Sequence, residues 1–532
     1  MPMHADRRNF LGLTSRLAAW AALAAACPGA TALRTDGYPF SLGVASGSPR
    51  PTSVVLWTRI LTDPLQQRLL DIGPLAVRWE IAADERFAQI VAQGSATAIP
   101  ELAHSVHVDV TGLRPDRWYW YRFMLGAAVS PIGCTRTAPA PDSLPSSLRF
   151  AFASCQHWEF GEYGAHRHIA AAAPDLVVFL GDYIYEWGPY DLAHPAQARR
   201  GVISVTLAEY RARYAQYKSD PQLQAAHHAA PWIVTWDDHE VANDYGNDRD
   251  EALDPHFIAR RAAAYQAFYE HMPVRLPALP TGPDCYAFMR LYERYDWGRV
   301  ARFHVLDDRQ YRSHHACPRP GHGGSNSVTA ACVERLDPAR SLLGKQQETW
   351  LAQGMAEAAA TSTKWNFLAQ QTLMAQASQT PITGPDTGRF WTDGWDGYPA
   401  ARRRLFDDLL RYRPANPVVL SGDVHTFFAA DLRPDFMRAV SDANPVVATE
   451  FCGTSISSSG RPQVRIDQYL IDNPHLKFGR SDRRGFVMME VTPAATQFRF
   501  QALDDVSKAD SGLSTIARFV VADGVAGVVR AG

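Results

Sequence analysis

The sequence predicts an α/β protein in which β-sheets are flanked by helices, preceded by a small all-β sandwich. From residue 148 onward, short apolar runs such as LRFAFA and DLVVFLG alternate with segments of helical periodicity. From 38 to 140, the chain instead contains short β-branched and aromatic runs separated by turn residues. A segment rich in Pro and Ser joins the two regions. We therefore predict domains over residues 38–140 and 148–532, with a linker over 141–147.

The N-terminal domain is predicted as a fibronectin- or immunoglobulin-like sandwich. Its runs SVVLWTRI, LAVRWEIA, SVHVDVTGL and WYWYRFML alternate with a period of two residues. The stretch LRPDRWYWY, residues 113–121, is typical of a tyrosine corner, in which a Tyr hydroxyl bonds back to nearby backbone.

The larger domain is predicted to bury its strands on both faces. The runs LRFAFA, DLVVFLG, PWIVTW, ARFHVL and PVVLSG are continuously apolar, so helices should cover the sheet on each side. Helical periodicity predicts helices over 207–218, 258–272, 341–360 and 401–412. The runs VVATEF, GFVMMEV and QFRFQA are predicted as further strands without helices between them.

The first 34 residues have the pattern of an export signal. Arg7 and Arg8 precede Asn-Phe-Leu, an Ala/Leu-rich run covers 17–26, and Ala-Thr-Ala stands at 30–32. The Arg pair indicates the twin-arginine export machinery as a partner and a periplasmic or extracellular location. Cys27 after three alanines leaves lipidation as an alternative. No later stretch reaches the ~18–20 apolar residues that span a bilayer.

The balance of charge argues against a partner bound through a basic face. The chain has 53 Lys and Arg against 55 Asp and Glu, a net charge of −2. No Lys/Arg block occurs beyond the first twenty residues, so no surface for nucleic acid or membrane is predicted. An anionic substrate would then be held by something else, for which bound metal is one answer.

Exported proteins can contain disulfide bonds, and we predict one between two cysteines of this chain. Cys317 and Cys332 bracket a loop rich in Gly, Ser and Pro, and we predict that they are joined.

Four of the buried strands run into side chains that bind metals. The carboxyl ends of strands in an open α/β sheet form one rim, where ligands bind. A cluster of carboxylates at such a rim is costly unless cations neutralise it, so the pattern predicts a metal centre. The residues that follow these strands are Cys155, Asp182, Asp237 with Asp238, and Asp423 with His425.

Each of these residues also has an ordinary structural explanation. A lone Cys after a buried strand is usually a small core residue, and Asp beside Gly is common in turns. Tyr183 and Tyr185 flank Ile184, so the ordinary explanation for one of the two is a side chain that packs in the core. The combination favours metal ligands, whereas Asp237 is predicted to support its loop. Two interpretations of His157 are left open: a side chain that supports the metal ligands, or an inert residue in a turn.

The motifs SCQ, GDYIYEW, WDDHEVAND and GDVH, in this order, resemble those of the alkaline phosphatase D (PhoD-type) branch of the calcineurin-like metallophosphoesterases. The resemblance extends from GVASGSPRPTSVVLWTR near the N-terminus to EFCGTSISSSG. It implies the calcineurin-like metallophosphoesterase fold for the larger domain.

The resemblance also implies roles for individual residues. Four side chains would hold ferric iron. One of these four, Asp182, would also bind a second metal, calcium, together with two further carboxylates. His239 would contact the phosphate as the catalytic residue. For Asn243, which the resemblance does not assign, contacts to phosphate, to a metal and to its own backbone all stay open, and it is the candidate substrate-binding residue. A His ligand of the second site in other relatives has no clear counterpart, and Gln370 or Gln371 stands nearest. The implied iron ligands are Cys155, Asp182, Tyr185 and His425, and the implied calcium ligands are Asp182, Asp238 and Asp423.

Together these features predict an exported, metal-dependent phosphoesterase that hydrolyses phosphate esters with water activated by the metals. Monoesters are the first expectation. A phosphodiesterase or phospholipase D-like enzyme using the same site is the alternative. A non-catalytic surface-binding protein and an oxygen-handling iron protein are further alternatives.

Overall fold

The computed structural model describes residues 37–64, 73–187, 203–276 and 284–531. The predicted signal over residues 1–34 lies outside these ranges. The helices are α1 Gly164–Ala172, α2 Leu207–Lys218, α3 Pro221–Ala229, α4 Phe257–His271, α5 Gly344–Ala360, α6 Pro399–Tyr412 and α7 Gln463–Asp472.

The strands, in chain order, are β1 Val44–Arg50, β2 Ser53–Arg59, β3 Leu75–Ala82, β4 Ile90–Ala98, β5 Ser105–Thr111, β6 Trp118–Leu125, β7 Ala128–Val129, β8 Gly133–Arg136, β9 Leu148–Ala153, β10 Leu176–Phe179, β11 Trp232–Val234, β12 Glu293–Trp297, β13 Ala301–Val305, β14 Ser327–Thr329, β15 Trp365–Ala369, β16 Arg389–Trp391, β17 Pro417–Ser421, β18 Phe427–Leu432, β19 Ala448–Cys452, β20 Leu476–Arg480, β21 Gly485–Val491, β22 Ala495–Leu503, β23 Leu513–Ala522 and β24 Val529–Ala531.

Two large sheets pack face to face in the centre of the molecule. One has the strand order β24-β23-β22-β21-β9-β10-β11-β1-β2-β5, and the other β12-β13-β15-β17-β19-β18-β20. Neighbours β9, β10 and β11 are parallel, as are β13, β15, β17 and β19. Side chains between the sheets form an apolar core, in which the Phe150 ring lies 5.2 Å from that of Phe303 and 5.5 Å from that of Phe367.

Helices cover the outer face of each sheet. Helices α1 to α4 pack on the ten-stranded sheet, where Tyr210, Tyr214 and Tyr217 of α2 are fully buried. These tyrosines recur at spacings of three and four residues, which places them on one face of the helix. Helices α5 to α7 pack on the seven-stranded sheet. The predicted class, sheets flanked by helices, is confirmed.

The N-terminal region is a β-sandwich, as predicted. Strands β1, β2 and β5 face a sheet of order β4-β3-β6-β7, with β8 paired to β6, across an apolar core. The tyrosine corner is present, because the Arg114 backbone N–H donates to the Tyr119 hydroxyl at 2.9 Å. Strand β1 also pairs in parallel with β11 through Gly47 and Trp232, so one sheet continues from the N-terminal region into the larger one. The domain boundaries themselves stay predictions.

One secondary-structure prediction is wrong. Helix α7 and strand β20 lie between the strands that contain VVATEF and GFVMMEV, where no helix was expected. The ten-residue segment has an apolar pattern of helical period that was overlooked, although only Ile466 and Tyr469 of it are buried.

The predicted disulfide between Cys317 and Cys332 is present. Cys134, Cys155, Cys285 and Cys452 are free thiols. Within the described ranges, no helix has the length and apolar character needed to cross a membrane.

Candidate metal centre

The predicted ligands come from two sheets rather than from the rim of one. Cys155, Asp182 and Asp238 follow β9, β10 and β11 of the ten-stranded sheet, whereas Asp423 follows β17 of the other sheet. The expectation of a single rim is therefore wrong. Strand β17 pairs with β15 and β19, and the carboxyl ends of the two sheets meet at one end of the sandwich. A parallel bridge from Ser154 to Ser455 joins the loops there.

The turns that carry these residues are unusually tight. Cys155, Asp182, Asp423 and His425 all adopt left-handed backbone conformations, with φ of 61°, 55°, 60° and 52°. Such conformations cost non-glycine residues roughly 1–2 kcal/mol each and are concentrated at functional sites. Before Asp182, Gly181 has a φ of 101°, and a Cβ there would overlap Asp237. The backbone is thus strained at the residues whose side chains converge.

The first group of donors contains sulfur, phenol, imidazole and carboxylate. Ligand atoms of Cys155, Asp182 and His425 all lie within 4.8 Å of one another. The Tyr185 hydroxyl donates to Asp182 Oδ2 at 2.8 Å and lies 3.1 Å from His425 Nε2. His425 Nδ1 is 2.7 Å from the Ser459 carbonyl, an arrangement that fixes the ring and leaves Nε2 for a metal.

The second group is rich in carboxylates and adjoins the first. Asp182, Asp238 and His239 form one cluster within 4.8 Å, and Asp237, Asp238 and Asp423 form another. Since Asp182 belongs to both the first group and this one, its carboxylate lies between them. The arrangement offers two neighbouring cation sites with a shared ligand.

Several oxygens in this centre are buried without a hydrogen-bond partner among the described residues. They are Oδ1 of Asp182, Oδ2 of Asp237, Oδ1 of Asp238 and Oδ2 of Asp423. Burial raises the pKa of Asp182 and of Asp237 well above the usual range, and it raises that of Asp423 to about 6. Buried acceptors of this kind are costly alone and are stabilised by a cation. The residues therefore fit a metal centre.

Arg309 supplies a positive charge to the carboxylate side. Its guanidinium is buried and forms ion pairs with Asp237 and with Asp393, the latter at 2.8 Å. Its Nη2 lies 3.5 Å from Asp238 Oδ1 and 3.8 Å from Asp423 Oδ1. Burial opposes ionisation of Asp238, but the charges of Arg309 and His239 hold its pKa below the usual value.

His239 is held in place by a carboxylate that sequence reasoning did not single out. Glu186 Oε2 lies 2.7 Å from His239 Nδ1, and the other oxygen of Glu186 accepts from the Asn243 backbone at 2.7 Å. Burial disfavours the charged imidazole, but Asp238 and Glu186 together raise the pKa of His239 well above its usual value. The Asn243 side chain forms a hydrogen bond with Glu251.

The remaining candidates have supporting contacts. Gln371 donates to the backbone carbonyls of Trp236 and Leu306, and Gln370 accepts from Trp395 Nε1 at 3.1 Å. Gln371 also accepts from the Asp308 backbone N–H, and Gln370 donates to the Thr372 carbonyl, so both side-chain amides are engaged with protein groups. The ring of His157 lies 4.2 Å from that of Tyr185, and its Nδ1 is 3.1 Å from Glu159.

Two further residues hold the loops together. Glu240 accepts from the backbone N–H groups of Asp182, Tyr183 and Asp237 at 3.1, 2.6 and 2.7 Å. Ser458 donates to the Tyr185 hydroxyl at 2.7 Å. Sequence reasoning missed Glu186, Glu240, Arg309 and Ser458. Glu186, Glu240 and Ser458 lie within motifs quoted above, and Arg309 lies in the segment LDDRQYR, but the sequence alone does not distinguish a residue that positions a ligand from its neighbours.

Family models, a curated relative and a solved structure all place the chain in one family. The family model for the PhoD-like phosphatase matches residues 150–500, and that for the PhoD-like phosphatase N-terminal domain matches residues 24–139. The chain is 43% identical over 498 residues to alkaline phosphatase D of Bacillus subtilis (strain 168), covering 91% of this chain and 81% of that protein. A solved structure of PhoD superposes with a TM-score of 0.86 at 41% identity, covering 95% of this chain and 94% of that one. The chain belongs to the PhoD-like phosphatase family and is a metal-binding hydrolase of phosphoric ester bonds.

Proposed function

We propose that this protein is an exported alkaline phosphatase D-like enzyme that hydrolyses phosphate monoesters, and diesters at the same site, with ferric iron and calcium as its metals. The observation that carries the proposal is the shared position of Asp182 between a group with sulfur and a group of carboxylates. The pattern at residues 1–34 supports export by the twin-arginine route.

The chemistry of the donors supports the choice of metals. Cys155, Tyr185 and His425 offer thiolate, phenolate and imidazole, which suit iron. Asp238 and Asp423 offer oxygens only, which suit calcium. When bound, such ions activate water at neutral to alkaline pH and neutralise charge on phosphate oxygens.

The protein's own side chains hold the ligands ready and handle the proton. Burial raises the pKa of the Cys155 thiol and the Tyr185 phenol well above their usual values, so each gives up its proton only to a strong cation. The carboxylates of Asp238 and Glu186 favour the charged form of His239 against the effect of burial, and Glu186 lies 2.7 Å from its Nδ1. A charged imidazole at this position stabilises negative charge on the phosphate and donates a proton to the departing alkoxide oxygen.

Arg309 and the Glu240 carboxylate hold the loops that carry the metal ligands in position. Glu240 ties the loops after β10 and β11 together through three backbone N–H groups. Arg309 balances part of the negative charge of Asp237 and Asp238.

The test is metal removal and restoration with mono- and diester substrates in parallel. We expect chelation to abolish the hydrolysis of p-nitrophenyl phosphate and of bis(p-nitrophenyl) phosphate, and ferric iron with calcium to restore both. His239→Ala should keep most of its metal but lose most of its turnover. Exposed His256→Ala serves as the control. Full activity after verified metal removal, or full activity of His239→Ala, would contradict the proposal.

A further inference from the structure

A buried arginine lies behind the sulfur side of the metal centre, the side that contains Cys155, Tyr185 and His425. Arg484 directly precedes β21, and β21 pairs with β9, which ends two residues before Cys155. Arg484 is only 7% exposed. The pairing of these two strands therefore brings its guanidinium next to the loops that carry the ligands.

The guanidinium of Arg484 binds three separate segments around the sulfur side. Its Nη1 donates to the His425 carbonyl at 3.2 Å, to Ser455 Oγ at 2.7 Å and to the Ser458 carbonyl at 2.7 Å. Its Nη2 donates to the Ser481 carbonyl. One side chain thus ties the turn that contains His425 to the segment 455–458 and to the end of β20.

Two of the metal ligands are oriented by the segment that Arg484 holds. The Ser458 hydroxyl donates to the Tyr185 hydroxyl at 2.7 Å. The carbonyl of the next residue, Ser459, lies 2.7 Å from His425 Nδ1. Partners of this kind fix the orientation of the groups that bind a metal. Arg484 therefore reaches the phenol of Tyr185 and the imidazole of His425 through one intervening segment.

Arg484 lacks the carboxylate partner that a buried guanidinium usually has. Among the residues that the structure describes, no carboxylate comes within ion-pair distance of Arg484, and the neighbouring Asp482 is paired with Arg480 at 2.8 Å. Because burial of an unpaired charge costs free energy, Arg484 stabilises the fold less than its hydrogen bonds alone would. Its contacts with the segments around the metal ligands distinguish it from an ordinary core residue.

We infer that Arg484 is a positioning residue for the sulfur side, which holds Tyr185 and His425 in the geometry for metal binding through the segment 455–459. The inference rests on the proposed function, since it requires that iron binds at Cys155, Tyr185 and His425. It gives a role to a side chain that touches none of the ligand atoms.

The experiment measures the affinities of the purified protein for ferric iron and for calcium by competition with a chelator. In Arg484→Gln, we expect the affinity for iron to fall roughly 10- to 100-fold, as for the loss of other outer-shell partners of metal ligands. The affinity for calcium should stay unchanged, because the hydrogen bonds of Arg484 all lie on the sulfur side. The matched control is Arg483→Gln, a change at the exposed neighbour that donates to the Asp504 carbonyl at 2.8 Å.

A double-mutant cycle tests whether Arg484 acts through Ser458. Ser458→Ala should also weaken iron binding, since it removes the hydroxyl that binds Tyr185. If the two residues act as one unit, the double variant should bind iron about as weakly as the weaker single variant, rather than showing the product of the two effects. Arg484→Lys keeps the charge but cannot bind all the acceptors, so it should show a smaller loss of iron, and it replaces Arg484→Gln in the cycle if that variant does not fold.

Three results would overturn the inference. They are an unaltered affinity for iron in the Arg484 variants, an equal loss of iron and calcium, and effects of Arg484 and Ser458 that simply multiply. The last two are expected of a residue that only stabilises the fold. A wild-type protein that binds no iron would instead contradict the proposed function.

Discussion

The two halves of the metal centre solve the problem of buried charge in different ways. On one side, Cys155, Tyr185 and His425 are all uncharged in their ordinary states. Burial raises the pKa of the thiol and the phenol and lowers that of His425 to about 3. On the other side, Asp237 and Asp238 are carboxylates, and Arg309 lies between them as a permanent counter-charge.

This difference indicates how each half responds to a metal. The first half must release protons when it binds, so it discriminates in favour of a strongly polarising ion. In the second half, the charge of Arg309 holds the pKa of Asp238 below its usual value against the effect of burial, so this half accepts an ion that binds oxygen less tightly. Asp182 belongs to both halves, and its loss should affect both at once.

The largest expected effect is that of Asp182→Ala. We expect it to remove both metals and to lower phosphoesterase activity by roughly a thousandfold or more, since losing even an outer-shell partner of a metal ligand costs about 10–100-fold. Metal analysis and phosphate release would measure the two effects. Asp220→Asn, at the N-terminus of α3, is the control and should keep metal and activity. A fully active Asp182→Ala enzyme would mean that the centre has been placed wrongly.

Next in size are two variants that separate the halves. If the proposed metals are right, Cys155→Ser should lose iron, together with any visible absorption that the iron gives, while keeping the second metal. Asp238→Asn should lose the second metal while keeping iron, because its contacts lie on the carboxylate side. Metal analysis and absorption spectra of both proteins decide the matter. If both variants lost the same single metal, the two halves would not be separate sites.

A smaller effect is expected from Glu186→Gln. The change removes the charge that holds His239 at 2.7 Å, so the imidazole is less firmly oriented. We expect kcat to fall roughly 10- to 100-fold, a part of the about 10²–10⁴-fold that general acid–base catalysis supplies. KM and metal content should stay close to those of the wild type. Glu357→Gln on α5 is a control, and a loss of metal in Glu186→Gln would assign this residue to metal binding instead.

The smallest predicted effect concerns stability away from the metal centre. Burial, with a smaller contribution from the nearby Lys218 charge, lowers the pKa of His107 and of His228 to about 4. His228 Nε2 accepts from the Val44 backbone at 3.3 Å, a bond that the protonated ring cannot make. Both histidines lie where the N-terminal sandwich meets the larger domain.

The sign of the pH dependence follows from these values. Between pH 6.5 and about 4 the unfolded chain binds more protons at these histidines than the folded chain, so stability falls as the pH falls. Each histidine contributes up to roughly 3 kcal/mol of loss, at about 1.4 kcal/mol per pKa unit. Urea unfolding of the wild type and of His107→Gln at pH 7 and pH 4.5 would measure it. Between pH 7 and pH 4.5, the free energy of unfolding of His107→Gln should fall less than that of the wild type. An equal fall in the two proteins would show that His107 does not contribute to the pH dependence.

Much of the fold could be predicted from the sequence because buried strands and amphipathic helices carry strong patterns. Strand β9 and helix α2 begin and end where the patterns of LRFAFA and residues 207–218 predict. Helix α7 was overlooked, although its ten residues have an apolar pattern of helical period. The pairing of β1 with β11 was not predicted either, because no local sequence pattern indicates which edge strands of two regions will pair.

The metal centre was predictable to the extent that each ligand directly follows a buried strand. Cys155, Asp182, Asp238 and Asp423 could be found this way. That they come from two sheets could not, because strand pairing depends on distant contacts. Glu186 and Arg309 also could not be identified, as their roles depend on which side chains the fold brings next to them.

The most direct test of the two-site centre is a crystal structure of the metal-loaded protein with anomalous maps above and below the iron absorption edge. We predict two metal peaks with the Asp182 carboxylate between them. The peak that changes across the edge should lie against Cys155, Tyr185 and His425. A single peak, or an iron peak among Asp237, Asp238 and Asp423 instead, would contradict the account.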